Sequence, residues 1–116
     1  MKDANGKISY KGKEYTLVFN LNVMEKVQAE YGTIEKWGEL TDGRSNGEPD
    51  AKAVIFGFTE MLNEGIDIAN EENGTNDPFL TLKQVGRMIT EIGLKDATQT
   101  LNETVVESVR NDEKNA

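Results

Sequence analysis

Apolar and polar residues recur with two different periods along this chain, and the change of period divides it into a β-rich start and a helical remainder. Ile8-Ser9-Tyr10 and Tyr15-Thr16-Leu17-Val18-Phe19 are rich in β-branched and aromatic residues and flank Lys11-Gly12-Lys13-Glu14, which predicts a hairpin with Gly12 in its turn. A period of two places Tyr15, Leu17 and Phe19 on one face and leaves Thr16 and Val18 on the other. A lone hairpin is marginal in water, so one face must pack on helices.

The helical period follows. Asn20 offers an N-cap, Leu21, Met24, Val27, Gln28 and Tyr31 lie at helical spacing, and Gly32 is a stop signal. Thr33 then caps a short helix presenting Ile34, Trp37 and Leu40 every three residues. Residues 41–48 have loop composition, closed by Pro49. Asp50 opens the clearest helix, with Ala51, Val54, Ile55, Phe58, Met61 and Leu62 in one apolar stripe. Gly65 is expected to end or bend it, with at most a further turn at residues 66–69 before the polar stretch 70–77. Pro78 forces an extended approach to Thr81-Leu82-Lys83-Gln84, which has the form of a capping box. Leu82, Val85, Met88, Ile89 and Ile92 make the stripe of that helix, and Gly93 ends it. A last helix from about Leu94 carries Leu94, Ala97, Leu101, Val105 and Val109 on one side, and the polar tail 111–116 is expected to fray. The predicted fold is α+β and mainly α: an N-terminal β-hairpin packed on a bundle of four to five helices, in one domain over residues 1–110.

Composition narrows what such a domain can do. At 116 residues the chain has the size of a single domain. Its 36% hydrophobic content and mean hydropathy of -0.60 lie at the polar end of the globular range, a small core that suits a protein completing itself against a partner. No cysteine is present, so there is no disulfide and no thiolate nucleophile. No histidine is present either, which removes the commonest general base and the commonest metal ligand. The net charge of -8, with no run of basic residues, is expected to repel duplex DNA and acidic membranes. No apolar run approaches the ~18 residues of a membrane span, and residues 1–6 lack the apolar stretch of a secretion signal, so the protein is expected to stay where it is made.

The remaining candidates for chemistry are weak. Acid–base catalysis needs two carboxylates whose surroundings separate their pKa values, and none of the 21 acidic residues marks such a pair. The run Asp42-Gly43-Arg44-Ser45-Asn46-Gly47 has the aspartate and glycine of a calcium loop, but its third position is Arg44 and its twelfth is Ala53, where a bidentate glutamate is needed. The glycines form no phosphate-binding pattern. The chain is therefore expected to be no enzyme and to bind no cofactor or metal. Two aromatic residues remain as candidate partner anchors. Trp37 belongs to a residue type enriched at interfaces, although its spacing with Ile34 and Leu40 argues for the core. Phe56 points about 155° from the middle of the stripe around it, so either a second layer such as the hairpin covers it or it is exposed for a partner; cover is preferred.

Taken together, the hairpin around residues 7–15, the lead-in Phe19-Asn20-Leu21-Asn22, the segment Tyr31-Gly32-Thr33-Ile34, the apolar helix 54–62 and the capping segment Leu80-Thr81-Leu82-Lys83-Gln84-Val85-Gly86 resemble the tail assembly chaperones of long-tailed phages with non-contractile tails, over residues 7–109. The polar insert at 71–77 is longer than that pattern has. The resemblance implies a non-enzymatic chaperone in the bacterial cytoplasm, encoded by a phage or prophage and absent from the mature virion. Its partners would be the tape measure protein, which it holds soluble, and the tail tube protein, whose polymerisation it assists; self-association is open. In that family a longer product commonly arises by ribosomal slippage, and Glu113-Lys114-Asn115 can be encoded by an unbroken adenine run. The alternative is a small acidic regulatory or inhibitory module that mimics DNA. That would need its carboxylates arrayed on one face, whereas in the sequence they scatter over every helix.

Overall fold

The computed structural model describes residues 4–115, with the side chains of residues 5–108. Two successive positive φ angles, 50° at Lys11 and 78° at Gly12, turn the chain in the manner that matches the twist of a two-residue hairpin. Strand β1 (Ala4–Tyr10) pairs antiparallel with β2 (Lys13–Phe19), Tyr10 opposite Lys13 and Gly6 opposite Leu17. Both strands are longer than the apolar runs that announced them. Five helices follow: α1 (Leu21–Tyr31), α2 (Ile34–Thr41), α3 (Ala51–Asn73), α4 (Leu82–Ile92) and α5 (Leu94–Asn115). The fold is α+β and mainly α, as the sequence pattern predicts.

The predicted caps are in place. Asn20 Oδ1 accepts from the Asn22 and Val23 N–H groups, Thr33 Oγ1 from Lys36, and an Asp50 carboxylate oxygen from Ala53. Thr81 and Gln84 form the reciprocal box, at 3.2 Å and 2.8 Å. Gly32, Gly74 and Gly93 stand at the helix ends with positive φ.

Three expectations are corrected by packing. Gly65 does not end the central helix, which runs on to Asn73. The two-residue turn makes Tyr10 and Lys13 a hydrogen-bonded pair, so by alternation Thr16 turns its N–H and C=O away from β1. That outward edge meets α3 at Gly65, where a Cβ would lie 2.5 Å from the Thr16 carbonyl oxygen. Glycine is there to let strand and helix backbones touch. Second, Leu21, Leu82 and Leu94 are exposed, at 63%, 56% and 43%, although each was counted in an apolar stripe. All three are the first residue of their helix. The Cα–Cβ bonds of a helix tilt towards its N-terminus, so a first-turn side chain projects past the helix end and off the core.

Third, the buried face of α5 is broader than its apolar stripe. Ala97, Thr98, Leu101, Thr104 and Ser108 are buried and Val105 is half-buried; the Val109 side chain lies outside the described residues. Thr98 and Thr104 donate their hydroxyls back to the Lys95 and Thr100 carbonyls, which hides their polarity. A Cβ on Gly6 would collide with Thr104 Oγ1, so α5 lies directly across β1. The polar stretch 111–115, expected to fray, falls on the backbone of α5, and Ala116 lies outside the described residues. The core joins the hairpin (Leu17, Phe19) to Val23, Val27, Trp37, Val54, Phe58, Met61, Leu62, Val85 and Leu101.

Candidate functional site

Beyond Gly65, α3 continues alongside β2 and the two leave a cleft between them. Leu62, Ile66 and Ala69 form its helical wall, Tyr15 and Thr16 its strand wall, and Pro78 and Leu80 its lip, around about 300 Å³. The lip is an extended segment with no regular structure of its own, and two asparagines two helical turns apart hold it. Asn63 Nδ2 donates to the Leu80 carbonyl at 2.9 Å while the Leu80 N–H donates to Asn63 Oδ1 at 2.8 Å. Asn70 holds Asp77 in the same two-way fashion, both bonds at 3.0 Å, and also accepts from the Thr75 hydroxyl at 2.9 Å. The polar insert that exceeds the expected pattern is thus the device that spans from α3 to the lip.

The lip carries different chemistry on its two sides. On one side Phe79 is 56% exposed and lines a hollow with Glu60, Glu64 and Asp67 of α3. Glu64 Oε2 there accepts from Asn20 Nδ2 at 2.6 Å and from Asn22 Nδ2 at 2.9 Å, tying the start of α1 to α3. On the other side lie Tyr10, Lys11 and Tyr15 of the hairpin with Leu82, Lys83 and Arg87 of α4. Lys11 Nζ sits 5.4 Å from the Tyr10 ring centroid, and Lys13 Nζ sits 5.1 Å from that of Tyr15. Cations from two distant stretches of sequence therefore share one face, a basic patch that the absence of any basic run had spoken against.

The two sequence-predicted anchors lie elsewhere. Trp37 is 1% exposed, stacks on Phe19 at 6.4 Å and donates its Nε1–H to the Ala53 carbonyl at 3.0 Å, so it is a core residue with its polar end satisfied. Phe56 is half-buried and meets the Tyr31 ring edge-on at 5.6 Å. Its cover comes from the end of α1, where the sequence reading had offered the hairpin. The Tyr31 hydroxyl is enclosed without a hydrogen-bond partner, and its pKa is raised above the ordinary 10.0, first by burial and then by Asp50 and Glu30. In the rejected calcium loop, Asp42 is occupied by Arg44, whose N–H and Nε–H it accepts at 2.9 Å and 2.7 Å. Among the described residues, no three acidic side chains converge as a metal-binding group, and no helix is long and apolar enough to cross a membrane.

Sequence reasoning missed Phe79, Asn63, Asn70 and the basic face. Phe79 had one available signal: an aromatic residue in a loop otherwise made of Asn, Gly, Thr, Asp and Pro with the single further apolar residue Leu80.

The chain is similar to the structural protein ORF618 of Acidianus two-tailed virus, 28% identical over 114 residues. The match covers 98% of this chain and 18% of that protein, so the chain spans less than a fifth of its relative's length. No family model matches the chain, and no solved structure matches it.

Proposed function

We propose that this protein is a non-enzymatic assembly chaperone for a viral tail, which holds an apolar helical segment of the tape measure protein and assists tail tube polymerisation. The observation that carries the reading is the cleft between β2 and α3. Its wall is apolar (Leu62, Ile66, Ala69), its lip is strapped by asparagine side chains as well as by the packing of Leu80 against the core, and exposed Phe79 and Leu82 lie close to Leu80 on either side along the chain. An amphipathic helix laid in such a groove buries its apolar face and leaves its polar face in water. The lip is released by breaking exposed or half-exposed hydrogen bonds, which suits a partner that is bound and later surrendered. The relative named a structural protein of a virus supports a viral setting. On this reading, which takes its setting from the family resemblance, the working protein acts in the cytoplasm of an infected bacterium and stays outside the finished particle.

Co-expression with the tape measure protein of the same virus tests the reading. The chaperone raises that protein's soluble yield, and Phe79→Ala together with Ile66→Asp lowers the gain while leaving the chain folded by circular dichroism. An unchanged yield with the unaltered chain ends the chaperone proposal. Mass spectrometry of purified particles tests the other half, since abundant copies in the virion would make the protein a structural component instead.

A further inference from the structure

We propose that copies of this chain associate head to tail, the basic tyrosine face of one against the acidic Phe79 face of the next. The first face is built by the hairpin turn and α4. Lys11, Lys83 and Arg87 line its two adjoining clefts with a single carboxylate, Glu91, and Glu14 nearby is paired with Lys7 at 3.6 Å. Tyr10 and exposed Leu82 supply the apolar surface between these charges. The second face presents Glu60, Glu64 and Asp67 beside exposed Phe79 and includes one cation, Lys26.

The charge signs decide the geometry. Two basic faces brought together repel each other, and so do two acidic ones, so neither face suits a symmetric dimer in which a patch meets itself. A basic face on an acidic face satisfies both, with the exposed aliphatic and aromatic residues of each buried at the centre of the contact. The faces also point apart. At 100° per residue, Ile55, which lines the basic side, lies about 150° around α3 from the middle of Glu60, Glu64 and Asp67. A contact between faces on opposite sides of one molecule leaves a free face at each end, so it propagates as an open chain or closes into a ring. A second copy is the occupant that charge complementarity favours, because this chain of net charge -8 itself carries an acidic, apolar-centred surface complementary to its own basic patch. The inference rests on charge complementarity and its test needs no tape measure protein, so it stands or falls separately from the chaperone reading even though Phe79 and Leu82 serve both.

Two charge-inverted variants of the full chain test it: K83E with R87E, and E60K with D67K. Glu64 is left intact because it anchors the start of α1. Sedimentation velocity on the wild-type protein shows mass rising with concentration at low salt, with association weakening at least about tenfold as ionic strength rises to about 0.5 M. Each variant alone stays monomeric with an unchanged melting temperature, and an equimolar mixture of the two associates again, because each supplies the face the other has lost. Three results overturn the proposal: a wild-type monomer at every concentration in low salt, oligomers that ignore salt and both inversions, or variants that fail to complement on mixing. Wild-type monomers that instead bind duplex DNA through Lys83 and Arg87 would also overturn it and assign the basic face to nucleic acid.

Discussion

Gly57 lies directly beneath the indole of Trp37: a Cβ built on it would overlap the six-membered ring, and the indole N–H on the same side donates to the Ala53 carbonyl. A helix interior ordinarily prefers alanine to glycine by roughly 0.5–1 kcal/mol. Here that preference is overridden by the need to seat the largest side chain of the core against a bare helix backbone. Gly57→Ala is expected to destabilise the protein by about 1–3 kcal/mol, as overpacking does, and to perturb tryptophan fluorescence. Gly38 in α2 is the contrast, since its added Cβ would meet only the Arg44 guanidinium at 3.9 Å. Gly38→Ala is expected to stabilise by up to about 1 kcal/mol. Urea unfolding of the two variants checks the pair, and equal effects of one sign would contradict the packing argument.

Asn63→Ala removes both bonds that fix Leu80 and leaves a half-buried N–H and C=O without their partner. A loss of about 1–3 kcal/mol follows, with hydrogen exchange speeding up at Leu80 and along the lip while the amides of Val23 and Val54 stay protected. Asn70→Ala, whose bonds are exposed, is expected to cost less. If both variants leave exchange in residues 75–81 unchanged, the asparagines do not hold the lip.

Tyr31 gives the fold an alkaline limit. Its neutral phenol is favoured in the native state, so the native chain keeps this proton after the unfolded chain begins to release it near pH 10. The stability linked to this group is complete below pH 10 and is lost as pH rises towards the folded value. Tyr31→Phe keeps the ring against Phe56 and removes an enclosed, unpartnered hydroxyl. The variant is expected to be no less stable at pH 7 and to lose less melting temperature than the wild type between about pH 9.5 and 11. Parallel melting curves for the two proteins over that range would refute the assignment.

Ser108 is fully buried on α5 with its hydroxyl unpartnered. Ser108→Ala is expected to be neutral or stabilising by about 1 kcal/mol, since a desolvated hydroxyl without a hydrogen bond is a cost. Thr104→Val is predicted to be similarly mild, because the Thr104 hydroxyl serves only its own helix, at Thr100 O. Thermal unfolding decides both, and a large loss in either would mean that the hydroxyl has a partner in solution.

What the sequence by itself determined was local. Periods of two and 3.6 identify the hairpin and all five helices, because a repeating apolar position records which side of a strand or helix faces away from water. The caps at Asn20, Thr33, Asp50 and Thr81 were equally legible, since each donor and acceptor pair lies within three residues. Tertiary structure decided what depends on distance through space. It made Gly65 the middle of a helix instead of its end, because the strand that needs the glycine lies 49 positions earlier, at Thr16. It turned Leu21, Leu82 and Leu94 outward, and it enclosed Thr98, Thr104 and Ser108, whose polarity had disguised a packing face. It also moved the candidate site from Trp37 and Phe56 to the cleft beside β2. Electrostatics shows the division most sharply: Lys11 and Lys83 are unremarkable members of an acidic chain until the fold brings a turn and a helix together, and charge acts across space, where sequence separation has no meaning.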